Sequence, residues 1–163
     1  MPVRPTDRPL QGRRAFVTGG ATRAESVRNA LVEVPEEALV ILVHDAARPL
    51  VDDAVIERLL GRLDGTVEGV VPGIEVQDTV KRVERGVVTE TVAREGLVAV
   101  QTPQAFRAGV LRRAHAHGDE ATDDAALVER LGGTVVVIPG PARNVKITHP
   151  HDLDAAAQHL AGS

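Results

Sequence analysis

Cysteine is absent from the 163 residues, which excludes disulfides and thiolate metal sites. Tryptophan and tyrosine are absent too, and phenylalanine occurs only as Phe16 and Phe106. The core must then come from Val, Leu, Ile and Ala, which suits a parallel sheet covered by alanine-rich helices. No apolar run approaches the ~20 residues of a membrane span and no secretory leader is visible, so a cytoplasmic protein is expected. A net charge of −4 offers no general attraction to nucleic acid or to an anionic membrane. Lysine is scarce: among 19 basic residues only Lys81 and Lys146 are lysine, and both fall inside motif-like segments. What is present, 43% hydrophobic residues, is enough for the core of one domain.

The chain is organised around residues 39–49, Leu-Val-Ile-Leu-Val-His-Asp-Ala-Ala-Arg-Pro. Five apolar residues in succession are too few for a helix and fit a strand buried on both faces. Pro49 cannot continue a ladder, so the chain turns there. Asp52 or Asp53 then caps an apolar helix over 52–63. This order places Asp45 and Arg48 beyond the carboxyl end of a strand, where open α/β sheets bind ligands. From the residues alone, a turn-capping Asp45 and a surface Arg48 are an equal alternative.

Residues 1–12 contain three prolines and read as a tail or linker, leaving 13–163 as the domain. Ala15 to Thr18 reads as a short strand, followed by Gly19-Gly20. Thr22 and Glu25 form a capping box for a helix that buries Val27, Ala30, Leu31 and Val34. A Gly-Gly turn feeding a helix start is a weak anion-site signal. Gly69 to Pro72 is a further strand. The alternation from Glu75 to Val92, turning at Arg85-Gly86, predicts an antiparallel arm over about 75–95. Such a ribbon is marginal alone and should pack on something else. Leu97 to Phe106 reads as a strand running into a turn at Pro103, and a helix follows to about His117. Thr122 is expected to cap the next helix, with Asp123 and Asp124 complementing its dipole. Gly132-Gly133 stops it, Thr134 to Ile138 is a strand, and a closing helix runs from Pro150 or His151 to Leu160. The pairs His115/His117 and His149/His151 do not suit zinc, because residues two apart do not share a helix face. His44 reads as a hydrogen-bonded structural residue.

His44-Asp45-Ala46-Ala47-Arg48-Pro49 resembles the signature of the 2-C-methyl-D-erythritol 4-phosphate cytidylyltransferases. So do Gly19 to Val27, Thr102-Pro103-Gln104, and Asn144 to Leu153, which follows the pattern Asn-x-Lys-x-Thr-x-Pro-x-Asp-Leu. The resemblance covers about residues 15–155. It implies an α/β fold: a Rossmann-like nucleotidyltransferase sheet with helices on both faces and a β-arm, here N-terminally truncated. It implies transfer of CMP from CTP to a sugar-alcohol phosphate with release of pyrophosphate. Asp45 and Lys146 would be catalytic, with Asp45 holding Mg²⁺. Arg48, Asp78, Thr79, Arg94 and Thr102 would bind the sugar phosphate. Gly20, Ala21, Arg23, Ser26 and Ala46 would face the nucleotide. A homodimer through the arm would bring Thr79 and Arg94 to the neighbour's site. The family's glycine-rich loop for the CTP phosphates has no counterpart before Gly19, so weak or absent turnover is expected of this chain. A non-catalytic dimerising or ligand-binding remnant and a ribitol-phosphate cytidylyltransferase are the alternatives.

Overall fold

The computed structural model describes residues 14–161; the expected tail over 1–12 lies outside them. Five strands form the main sheet, and two more form a separate ribbon. Helix α1 (Arg23–Glu33) leads to β1 (Val40–Val43), and α2 (Asp53–Arg62) leads to β2 (Gly69–Glu75). The ribbon is β3 (Val80–Glu84) and β4 (Val87–Val92). Then come β5 (Val98–Val100), β6 (Gln104–Arg107), α3 (Ala108–His115), α4 (Asp124–Arg130), β7 (Val135–Pro139) and α5 (Pro150–Ala161).

The helix starts follow the sequence closely at two places. The Thr22 hydroxyl accepts from the Glu25 amide at the head of α1, and Asp52 accepts from the Val55 amide at the head of α2. The reciprocal arm of the first box lands one residue early: Glu25 accepts from the Ala21 amide at 2.5 Å. The third expectation is corrected. Asp123, not Thr122, caps α4 by accepting from the Ala126 amide, and Asp124 turns into the protein.

Side-chain alternation puts a core on each sheet face. Val71 of β2 and Phe106 of β6 join Ile41, Leu111, Ala114 and Val128 under α1, α3 and α4. Their neighbours Val70 and Ala105 point the other way, onto Val55 and Leu59 of α2. The expected helices on both faces are therefore present. The expected parallel sheet is not. Only β2 with β7 is parallel; β1 with β6, β2 with β6 and β2 with β5 are antiparallel. The reversal comes from the segment 97–106, which is not one strand but two, β5 and β6, separated by the turn at Pro103. After Thr102-Pro103 the chain runs as a strand for four residues before α3 begins. β2 is also longer than expected. Pro72 is tolerated inside it because the ladder changes there from β6 to β5, so its missing amide is not required on that side.

Two other strand expectations change. In β1 only Ile41 is buried, and Val40, Leu42 and Val43 are half-buried. Residues 15–18 form no strand; Val17 is 95% exposed. A four-residue strand without a ladder partner has nothing to hold it extended. The arm forms as read, with Arg85 and Gly86 both at positive φ, as a tight two-residue hairpin requires. Among the described residues no helix is long and apolar enough to cross a membrane.

Close approach dictates one glycine. A Cβ on Gly69 would meet the Phe106 ring at 2.9 Å and Val135 at 3.1 Å. Gly69→Ala should therefore cost about 1–3 kcal/mol by overpacking, measured by urea denaturation. A stabilised variant would show that β2 and β6 are not packed this tightly.

Candidate active site

Asp45 follows β1 directly and is held from behind. Its amide donates to the Thr102 hydroxyl at 3.0 Å, and its carbonyl accepts from the Arg48 amide at 2.9 Å. His44 closes the same loop. Its Nε2 lies 3.0 Å from the Arg48 carbonyl and its Nδ1 3.1 Å from the Thr102 oxygen. A carbonyl can only accept, so Nε2 carries the ring proton, and Nδ1 accepts from the Thr102 hydroxyl. Burial, the largest influence, holds His44 below the ordinary histidine range, in keeping with this neutral form. His44 is thus fixed by hydrogen bonds on both ring nitrogens, the structural role expected of it.

The second half of the site arrives from 101 residues downstream. Asn144 is fully buried, and its side-chain amide donates to the Thr102 carbonyl at 2.8 Å. The Gln101 side-chain Nε2 donates to the Asn144 carbonyl at 3.3 Å, and the Ile147 backbone amide donates to the Ala47 carbonyl at 2.8 Å. This lacing lays residues 144–147 along the Asp45 loop. Lys146 Nζ then meets Asp45 Oδ2 at 3.0 Å. Arg48 Nη1 donates to the Asn144 carbonyl at 2.7 Å, and its buried Nε has no partner. From α1, Arg23 Nε approaches the other oxygen, Asp45 Oδ1, at 3.7 Å. Asp45, Arg48, Lys146, Thr102 and Arg23 are therefore brought together, as the motifs implied.

The remaining candidates divide. Gly20 and Ala21, before α1, and Ala46, next to Asp45, are exposed. A Cβ on Gly20 would meet the Ser26 amide nitrogen at 2.8 Å, so only glycine lets the turn lie this close to α1. The Ser26 hydroxyl donates back to the Thr22 carbonyl at 2.9 Å. Thr102 is only 5% exposed, with its hydroxyl engaged on two sides, so in this chain it supports Asp45 from beneath. Asp78, Thr79 and Arg94 stand exposed at the base of the arm. Among the described residues no hydrogen bond or ion pair joins those three to Asp45; Arg94 donates to the Gln77 carbonyl beside it.

Asn144 was the functional residue sequence reasoning left without a role, although it opens the Asn-x-Lys motif. Asp124, read as complementing a helix dipole, and His115, read as half of a pair unsuited to zinc, prove to be bonded to each other. Asp124 is fully buried and bonded to Arg23 at 2.6 Å and to His115 Nε2 at 2.8 Å.

A metal here would find one carboxylate, Asp45, whose Oδ1 accepts no hydrogen bond among the described residues and pairs there with Arg23 at 3.7 Å. One or two carboxylates completed by phosphate oxygens and water is the donor set magnesium accepts. The residues fit such an ion when a phosphate-bearing ligand supplies its other oxygens.

A family model described as IspD, 2-C-methyl-D-erythritol 4-phosphate cytidylyltransferase, matches residues 5–161, starting ten residues before the resemblance read from motifs. A bifunctional enzyme IspD/IspF of Solidesulfovibrio magneticus is 48% identical over 146 residues, covering 88% of this chain and 36% of its own length. A 2-C-methyl-D-erythritol 4-phosphate cytidylyltransferase of Acidobacterium capsulatum is 44% identical over 160 residues, covering 93% of this chain and 66% of its own. The crystal structure of the Thermus thermophilus cytidylyltransferase superposes with a TM-score of 0.80 at 39% identity, covering 99% of this chain and 80% of that one. The chain thus spans about a third of its bifunctional relatives and about two thirds of the single-function one. Matched along nearly its whole length, the chain belongs to the 2-C-methyl-D-erythritol 4-phosphate cytidylyltransferase family.

Proposed function

We propose that this chain carries the transfer site of a cytidylyltransferase, moving CMP from CTP to 2-C-methyl-D-erythritol 4-phosphate and releasing pyrophosphate. The observation that carries the reading is the Lys146–Asp45 pair, 3.0 Å apart at the end of β1 and 101 residues apart in sequence. The nucleophile is a phosphate oxygen, already ionised near neutral pH because the second pKa of a phosphate monoester is about 6. No general base is needed. The site's work is to align two phosphates and to offset the charge that gathers at the α-phosphorus. Cations around a single carboxylate suit that work, and a hydrolytic triad would not.

In this reading Lys146 places a positive charge between the phosphates. Arg48, anchored through one Nη1 by Asn144, turns its other donors to the sugar phosphate. Gly20, Ala21, Arg23, Ser26 and Ala46 line the nucleoside side. Asp45 would hold magnesium, which when bound draws charge from the phosphate oxygens. Thr102, His44 and Asn144 keep Asp45 and Lys146 in register.

The arm supports a second copy as partner. β3 and β4 form a sheet of their own, and Val83, Val87 and Val88 on it are all more than half exposed. A two-stranded ribbon with bare valines is marginal in water and gains by covering. Asp78, Thr79 and Arg94 would then serve the partner's site. Sedimentation should show a dimer that Val87→Asp weakens; an unchanged monomer would remove this part.

Lys146→Ala should lower cytidylyl transfer about 100-fold or more, with the folded state kept, since the lysine is half exposed and its pairing with Asp45 is solvent-screened. A variant within threefold of the parent would return Lys146 to a surface role. Pyrophosphate release with CTP and a panel of sugar-alcohol phosphates tests the substrate. The erythritol phosphate should lead, and preference for ribitol phosphate would move the chain to the sister activity.

A further inference from the structure

A buried carboxylate that the transfer chemistry does not use, Asp124, is tied to the site through Arg23. Arg23 Nη2 meets Asp124 Oδ2 at 2.6 Å, and His115 Nε2 meets Asp124 Oδ1 at 2.8 Å. Asp124 has no exposed surface at all. Its place is fixed independently, because Asp123 next to it caps α4 and also accepts from Gln104 of β6 at 2.9 Å. Arg23 is the only member of this group that also faces the site. Its Nε stands 3.7 Å from Asp45 Oδ1, beyond hydrogen-bond length, while its Nη2 is held short on Asp124.

One guanidinium is thus shared unequally between two carboxylates. A planar fork prefers a close two-point grip on a carboxylate. Freed from Asp124, Arg23 would need to move by less than about 1 Å to close on Asp45. With Lys146 already on Oδ2, both oxygens of Asp45 would then be occupied by side chains. We propose that Asp124 is a positioning residue: it holds Arg23 back from Asp45, so that one oxygen of the carboxylate stays open to a ligand, with His115 fixing Asp124 from the other side. Burial alone would raise the Asp124 carboxyl; the hydrogen bonds from His115 and Arg23 outweigh it and keep the group ionised, as a permanent anchor must be.

The inference rests on the reading of Asp45 as the ligand-facing carboxylate, and two measurements separate them. The first needs no ligand. The Arg23 Nε–H resonance of the ¹⁵N-labelled chain should shift when Asp124→Asn is introduced. In that background, and only weakly in the parent, it should shift again with Asp45→Asn. The second is the affinity for CTP with Mg²⁺ by calorimetry. Asp124→Asn should weaken it about 10-fold, as loss of a supporting partner typically does. Introduced into Arg23→Gln, Asp124→Asn should weaken binding no further, which a merely structural defect would not allow. If Asp124→Asn fails to fold, His115→Gln should move the same resonance in the same direction by less. An Arg23 signal indifferent to Asp124→Asn, or to His115→Gln in its place, overturns the proposal. So does an Asp124→Asn substitution that weakens the Arg23→Gln variant as much as it weakens the parent. If the parent itself binds no CTP, the functional reading fails, and the resonance still decides this one.

Discussion

Asp45→Asn should remove the magnesium dependence of nucleotide binding and cut transfer about 100- to 1000-fold, the scale of losing one fixed electrostatic group. The change is nearly isosteric, and the amide-to-Thr102 hydrogen bond that seats residue 45 uses only the backbone. The loop should stay in place, and thermal stability should stay within a few degrees, because the pairs with Lys146 and Arg23 are partly exposed and solvent-screened. The informative part is the sign of a second effect. With the carboxylate gone, Arg23 and Lys146 lose their shared counter-charge. Metal-free CTP, a polyanion, should then bind as well as to the parent or better. Loss of CTP binding with and without metal alike would instead mean that the substitution had damaged the loop.

Phe106→Ala should cost about 3–5 kcal/mol of folding stability, a large share of the 5–15 kcal/mol typical of a domain. Phe106 is fully buried, and in a chain without tryptophan or tyrosine it is the one phenylalanine in the core, since Phe16 is exposed. It sits on β6 with its backbone paired to Ile41 of β1 and to Gly69 of β2, and it packs with Leu111 and Val128. No neighbouring aromatic can swing into the void, so little collapse is expected. The same strand carries Gln104, which ties the head of α4 to the sheet, so site geometry should loosen along with stability. Denaturant unfolding measures the first effect. A loss below about 1 kcal/mol would mean that the core is not built around this ring.

The parts of the fold that were legible have local causes. A five-residue apolar run, a proline and an aspartate cap defined β1, its loop and α2 without any partner needing to be known. Strand direction has no such local signature, which is why Val-rich segments read as a parallel sheet when most of the pairings are antiparallel. β6 was not separated from β5 or bounded at its end, because Gln104 to Arg107 flows into α3 with no glycine or proline between them. Residues 15–18 failed in the opposite sense: their strand-like composition has no ladder to join.

The site shows the same division. Asp45, Arg48 and Lys146 were legible through motifs, and the hydrogen bonds from Asn144 and Ile147 explain why those motifs must meet. Asp124 and His115 were not, although a signal existed. Asp124 shares a face of α4 with Leu127 and Val128, three and four residues on, and both are buried. His115 likewise follows buried Leu111 by four on α3. An ionisable residue on an apolar helix face needs a buried partner, and the two faces point at each other.

Titration calorimetry of CTP into this chain, with and without Mg²⁺ and repeated on Asp45→Asn, tests the central claim most directly. The account predicts saturable one-to-one binding that magnesium tightens in the parent and does not tighten in the variant. Equal magnesium dependence in both proteins would contradict it, because the carboxylate at the end of β1 would then have no part in holding the metal-bound nucleotide.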